Sequence, residues 1–181
     1  MPFVRCGCSI QAILEALPQP LPDPESTSEL EETSRFVMAA LKWANKQGAA
    51  AAVQQIHDTY AAWIYAAFGW RQFSKAALHY SRGADAAAYA SALAAAVSQA
   101  GQQEADLFVT RAVLQTLACA HAATKERQLK HAVDLLDACK QTVPQLGDAP
   151  LIHFCGLLLQ ALALRKPSLV TLLQVCVCGW G

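Results

Sequence analysis

Between Ser28 and Val175 apolar residues recur three and four positions apart, and one run after another is closed by Gly48, Gly69, Gly83, Gly101, Pro144 or Pro167. That spacing puts the apolar side chains on one stripe of an α-helix. Glycine ends such a helix by taking up backbone angles closed to other residues, and proline by lacking the amide that the next turn needs. No stretch alternates apolar and polar residues as a half-buried strand would. The sequence therefore predicts an all-α fold of about seven or eight helices joined by short turns, an irregular α-solenoid of antiparallel helical pairs, tetratricopeptide-like in kind. The helix starts do not recur at a fixed period, so no strict repeat consensus is expected.

In chain order, Ser9 to Leu17 suits a short helix, and Pro18, Pro20, Pro22 and Pro24 then impose an extended linker. Ser28 with Glu31 has capping-box spacing. Leu30, Val37, Leu41 and Ala44 line one face of the helix that follows, with Phe36, Ala40 and Trp43 thickening it. Val53, Ile56, Tyr60, Trp63, Ile64 and Ala67 form the next stripe; Trp70, Phe73, Ala76, Ala77 and Tyr80 form the one after, and the two read as a helical hairpin. Asp85 opens an alanine-rich helix, Ala86 to Ala100, in which Tyr89, Leu93 and Val97 are the larger apolar residues. Glu104 and Asp106 favour the positive end of another helix, whose apolar face is read as Leu107, Leu114 and Leu117 with Phe108 and Ala112, running out near Ala122. Thr124 caps a helix carrying Leu129, Val133, Leu136 and Cys139. Val143 to Pro150 is a loop, Pro150 starts the apolar helix to Leu164, and Pro167 opens a last helix through Val175. The domain expectation is an atypical N-terminus and linker at 1–25, the solenoid at 26–175 and an unstructured tail at 176–181.

Composition narrows function by exclusion. Net charge is zero and only 15% of the 181 residues are charged, which supplies no basic field for nucleic acid or for an anionic membrane surface. Partners are expected to be proteins met through apolar and shape complementarity. The apolar run Leu151 to Leu164 carries His153 and Gln160 and falls short of the roughly 20 residues a spanning helix needs, so no direct membrane insertion is expected. The seven cysteines are odd in number, and Cys119, Cys139 and Cys155 sit in apolar helical pattern, which favours a reducing compartment and the cytosol.

Chemistry has little to stand on. His57 and Asp58 form the dipeptide of metal-dependent phosphohydrolases, but His79, His121, His131 and His153 are scattered without carboxylates at ligand spacing. Cys6 with Cys8 and Cys176 with Cys178 would hold zinc or copper only if the two ends met. Trp63, Trp70, Phe73 and Tyr80 read as core rather than as a binding platform. No cofactor, metal site or catalytic residue is expected. A generic tetratricopeptide-like peptide-binding module is the alternative from a neighbouring class, but it needs polar clamps on several helical pairs and Lys42, Asn45 and Lys46 on one helix are not enough; a metal-dependent hydrolase is the alternative from a distant class.

Four ordered stretches resemble the Golgi-to-ER traffic protein 4 family, the helical-repeat scaffold of the cytosolic pathway that delivers tail-anchored membrane proteins. They are RFVMAALKW (Arg35 to Trp43), SKAALHYSRGAD (Ser74 to Asp85), EADLFVTRAVLQTL (Glu104 to Leu117) and PLIHFCGLLLQALAL (Pro150 to Leu164) followed by SLVTLL. The resemblance spans Gln11 to Gln174 and implies a non-enzymatic adaptor. It links a targeting ATPase, docked on an N-terminal half, to a ubiquitin-like partner held by the C-terminal half; in animals a larger ubiquitin-like chaperone is gripped there. By that comparison the ATPase-docking helices are missing from this sequence, and Met1 to Ser9 and VCVCGWG match nothing in the family. The partner surface is expected at the loop and the helix after it, on Val143, Leu146, Leu151, Phe154 and Leu158. A solenoid cut at its ends exposes apolar faces, so the chain alone is expected to be aggregation-prone or only marginally stable.

Overall fold

The structure, a computed structural model, describes residues 28–143, 146–147, 149–166 and 168–171. The helix expected at Ser9 to Leu17, the proline linker, both C-x-C pairs and residues 172–175 of the last expected helix lie outside the described residues. Residues 168–171 are helical. Seven α-helices are described: α1 Ser28–Lys46, α2 Ala50–Phe68, α3 Phe73–Tyr80, α4 Ala86–Ala100, α5 Ala105–Ala118, α6 Lys125–Thr142 and α7 Pro150–Ala163. Short 3-10 turns, Gly69–Gln72 and Gln102–Glu104, lead into α3 and α5. Among the described residues all regular structure is helical, as the apolar spacing predicts. The chain divides into two compact units, Met1–Asp85 and Ala86–Gly181.

In the first unit α1 packs on α2 and α2 on α3. Leu30, Val37, Leu41 and Ala44 are all buried, which is the stripe read from the sequence. Ile56, Tyr60, Trp63 and Ile64 meet it from α2, and Phe73, Ala76, Ala77 and Tyr80 extend the core on α3. Burying one such large apolar side chain is worth about 1.5–3 kcal/mol. Phe36 and Trp43 depart from expectation at 42% and 43% exposed. They occupy a flank of α1 rather than the face turned to α2, because a helix packed on one neighbour covers one stripe only. Trp70 also departs. Gly69, at φ 56, ends α2 and puts Trp70 on the 3-10 turn, off the α3 stripe, where its ring stacks on Phe73 with centroids 6.0 Å apart and leaves an exposed edge.

The exit from α3 is tied back to α2 by Asp58. Its Oδ2 accepts the Ala84 N–H at 2.9 Å, while Oδ1 lies 3.2 Å from that nitrogen and accepts the Asp85 N–H at 3.3 Å. Such a carboxylate can sit on the turn only if Gly83 has no side chain, since a Cβ there would fall 1.7 Å from Oδ1. Gly83→Ala is therefore expected to displace the carboxylate and cost about 1–3 kcal/mol, the range for breaking charge-assisted hydrogen bonds. Urea unfolding of Gly83→Ala, Asp58→Ala and the double variant checks this. The double variant should cost clearly less than the two singles added together, because both remove one interaction. Simple additivity would show that the contact carries no stability.

In the second unit α4 packs chiefly on α6, and α5 on both α6 and α7, so helices touch their second neighbours as well as their first. That is the neighbour pattern of stacked helical repeats. Ala90, Ala92 and Ala96 are buried along α4 and allow close approach, with Tyr89, Leu93 and Val97 filling the larger gaps as read from the sequence. The face of α5 departs from expectation, Ala112 alone of the expected stripe being fully buried. Leu107 and Leu114 are 55% and 40% exposed, and Leu117 and Phe108 are half-buried. The buried stripe is Ala105, Val109, Ala112, Val113 and Thr116, which has the same helical spacing. Glu104 occupies the N-cap without a side-chain hydrogen bond, and the Asp106 carboxylate accepts the Leu107 N–H at 2.9 Å. The helix also ends at Ala118, short of Ala122.

On α6 Leu136 and Cys139 are buried as expected, Leu129 and Val133 only half so, and Gln128, His131, Ala132 and Leu135 complete the core face. Thr124 stands at the N-cap, but its hydroxyl accepts the His121 N–H at 3.1 Å in the preceding turn. Pro150 takes the first position of α7, as its fixed φ suits. Past the other end of α7, Arg165 adopts φ 52 and its guanidinium pairs with Glu126 on α6.

Candidate partner-binding surface

α7 is apolar on nearly every side, a composition that ordinarily marks a helix enclosed all round. It is not enclosed. Ile152, Cys155 and Leu159 are buried against the rest of the second unit, where the Cys155 thiol lies 3.6 Å from the Thr110 hydroxyl of α5. Turning away from that stripe, Leu151, Phe154 and Leu158 are half-buried, and Leu157 and Leu164 stand 53% and 61% exposed. The result is an apolar surface that runs continuously from core to solvent around α7.

Of the five residues singled out from sequence, the structure brings Leu151, Phe154 and Leu158 onto this one flank at positions i, i+3 and i+7. Val143 and Leu146, at 4% and 1% exposed, are buried in the unit instead. The sequence reading did not single out Leu157 and Leu164, the exposed leucines of this region. The signal available was the excess of apolar residues on α7 over what one packed face can use.

The chemical candidates resolve differently. His57 and His79, from α2 and α3, come together with their Nδ1 atoms 2.9 Å apart, one donating and the other accepting, although the sequence reading left them scattered. The His79 ring also meets Tyr60 edge-on at 4.7 Å. Burial, reinforced by the nearby Arg82 charge, pushes the His79 pKa down to about 4. Asp58, next to His57, is turned to the Gly83 loop instead. The dipeptide thus splits in two directions, and among the described residues no group of three or more His, Cys, Asp or Glu side chains is placed to hold a metal. The Cys139 thiol is pushed up to about 12 by burial, and burial raises Cys155 too, so both behave as small hydrophobes rather than nucleophiles. Tyr80 is likewise pushed up to about 12, by burial first and then by the charges of Asp58 and Asp85 and by Tyr65. Lys42, Asn45 and Lys46 are all exposed on α1. No described helix is long and apolar enough to cross a membrane.

Helices stacked on their first and second neighbours, carrying an apolar strip on one of them, define a helical-repeat protein. The chain belongs to the Golgi to ER traffic protein 4 family, whose sequence profile matches residues 8–175. Membership places it in Golgi-to-ER traffic and tail-anchored protein targeting. Comparison with curated proteins finds no match, and neither does comparison with solved structures.

Proposed function

We propose that the chain is a non-enzymatic adaptor in the post-translational targeting of tail-anchored membrane proteins to the ER, working in the cytosol and supplying the part of a link between a ubiquitin-like partner and a targeting ATPase that holds the ubiquitin-like partner, the ATPase-docking helices being the part the resemblance leaves unmatched. The observation that carries the partner contact is the exposed apolar flank of α7, with Leu157 and Leu164 in solvent beside half-buried Leu151, Phe154 and Leu158. An amphipathic or apolar element of a partner fits such a strip by the same ridge-and-groove packing that holds the solenoid together. Family membership supports the pathway.

Phe154 is the expected anchor, because a half-buried aromatic gains most from being covered. Phe154→Ala should weaken binding of the ubiquitin-like partner by about tenfold or more, equivalent to at least ~1.4 kcal/mol, with the far-UV circular dichroism unchanged. Leu157→Ala should act in the same direction. Full-strength binding by both folded variants would move the contact off α7.

A further inference from the structure

A cavity of about 390 Å³ opens in the first unit where α1, α2 and α3 meet. Leu30, Ile64 and Leu78 give it apolar walls, Leu78 being 44% exposed, and the exposed Arg35 and Lys75 line it as well. Glu31 is the one acid among the lining residues, and it is drawn to Arg35 at 3.7 Å in a pair so exposed that it carries little energy. The cavity therefore offers room for an apolar side chain under a net positive edge. It also lies at the N-terminal turn of α1, since Leu30 and Glu31 belong to that turn, so the chain preceding Ser28 arrives beside it.

We propose that this cavity is the docking site of the chain's own segment Leu17–Glu25, with Leu21 filling the space among Leu30, Ile64 and Leu78 and with Asp23 and Glu25 facing Lys75 and Arg35. The segment lies outside the described residues, and its sequence supplies what the cavity asks for. It carries two leucines and two acids and no base. The seven residues from Leu21 to Ser28, at about 3.1 Å each in the extended form that alternating prolines favour, reach roughly 20 Å, about twice a helix diameter. Prolines also reduce the entropy lost on docking, and tethering holds the segment at an effective concentration in the millimolar range. An untethered acidic peptide would fit the same walls without either advantage.

A labelled peptide with the sequence of residues 17–27, added to the 181-residue chain, distinguishes the two occupants. It should bind Leu21→Ser chain at least tenfold more tightly than wild type, whose own segment competes, and Lys75→Glu introduced into the Leu21→Ser chain should abolish that binding. Hydrogen exchange at the Leu21, Asp23 and Glu25 amides should be slowed at least tenfold in wild type and not in Leu21→Ser or Lys75→Glu. Leu21 lies outside α1–α3 and Lys75 is exposed, so neither change endangers the fold. Equal peptide affinity for wild type and Leu21→Ser would show a cavity open to outside peptides and overturn the proposal, as would failure of the peptide to bind Leu21→Ser or unprotected amides in wild type.

Discussion

Lowering the pH from 7 to 4 is expected to destabilise the first unit by about 3 kcal/mol through His79 alone. The imidazole titrates near 6.5 in an unfolded chain and at about 4 in the folded one, and each pKa unit corresponds to 1.36 kcal/mol. Burial is the main cause and the Arg82 charge the second, both opposing imidazolium. Below pH 6.5 the unfolded state binds the proton that the folded state refuses. The stabilising contribution is therefore complete above about 6.5, declines as pH falls, and is gone once the folded pKa is passed. Urea unfolding followed by tryptophan fluorescence reads chiefly this unit, since three of the four tryptophans, Trp43, Trp63 and Trp70, lie in it. The same titration on His79→Gln, which cannot ionise, should lose most of the decline between pH 6.5 and 4. Parallel profiles for the two proteins would mean that His79 is not held neutral by the fold.

The second unit should separate its leucines sharply. Leu93 is 1% exposed on α4, so Leu93→Ala is expected to cost about 2–5 kcal/mol as transfer and cavity terms combine. Leu107→Ala and Leu114→Ala remove side chains that are half in water and should each change stability by no more than about 0.5 kcal/mol. Midpoints from far-UV circular dichroism in urea give the comparison. Large losses for Leu107 and Leu114 would restore the leucine face of α5 as its packed side and overturn the observed arrangement.

These two cases also show what a sequence of this kind makes legible. The bounds of α4 coincide with those read from Asp85, Gly83 and Gly101, because alanine favours the helix and the flanking residues stop it. The core stripes of α1 and α4 were legible too, through Leu30, Val37, Leu41 and Ala44 on one and Tyr89, Leu93 and Val97 on the other, although Phe36 and Trp43, read onto the α1 face, lie on its exposed flank. On α5 two stripes share the helical period, and periodicity cannot say which one a neighbour covers. The smaller one wins through contacts with α6 and α7 that no local pattern encodes. The His57 and His79 pair spans 22 residues and depends on how α2 and α3 pack, so it has no sequence signature. Of the residues proposed for partner contact, Leu151, Phe154 and Leu158 share a flank of α7 as their spacing implies, while the burial of Val143 and Leu146 depends on the fold of the loop and has no local signature.

Isothermal titration of the folded 181-residue chain with its cognate ubiquitin-like partner tests the adaptor reading most directly. The account predicts saturable binding that Phe154→Ala weakens by about tenfold or more while Leu107→Ala leaves it unchanged. The absence of detectable heat and of complex formation, with the chain shown to be folded, would contradict it.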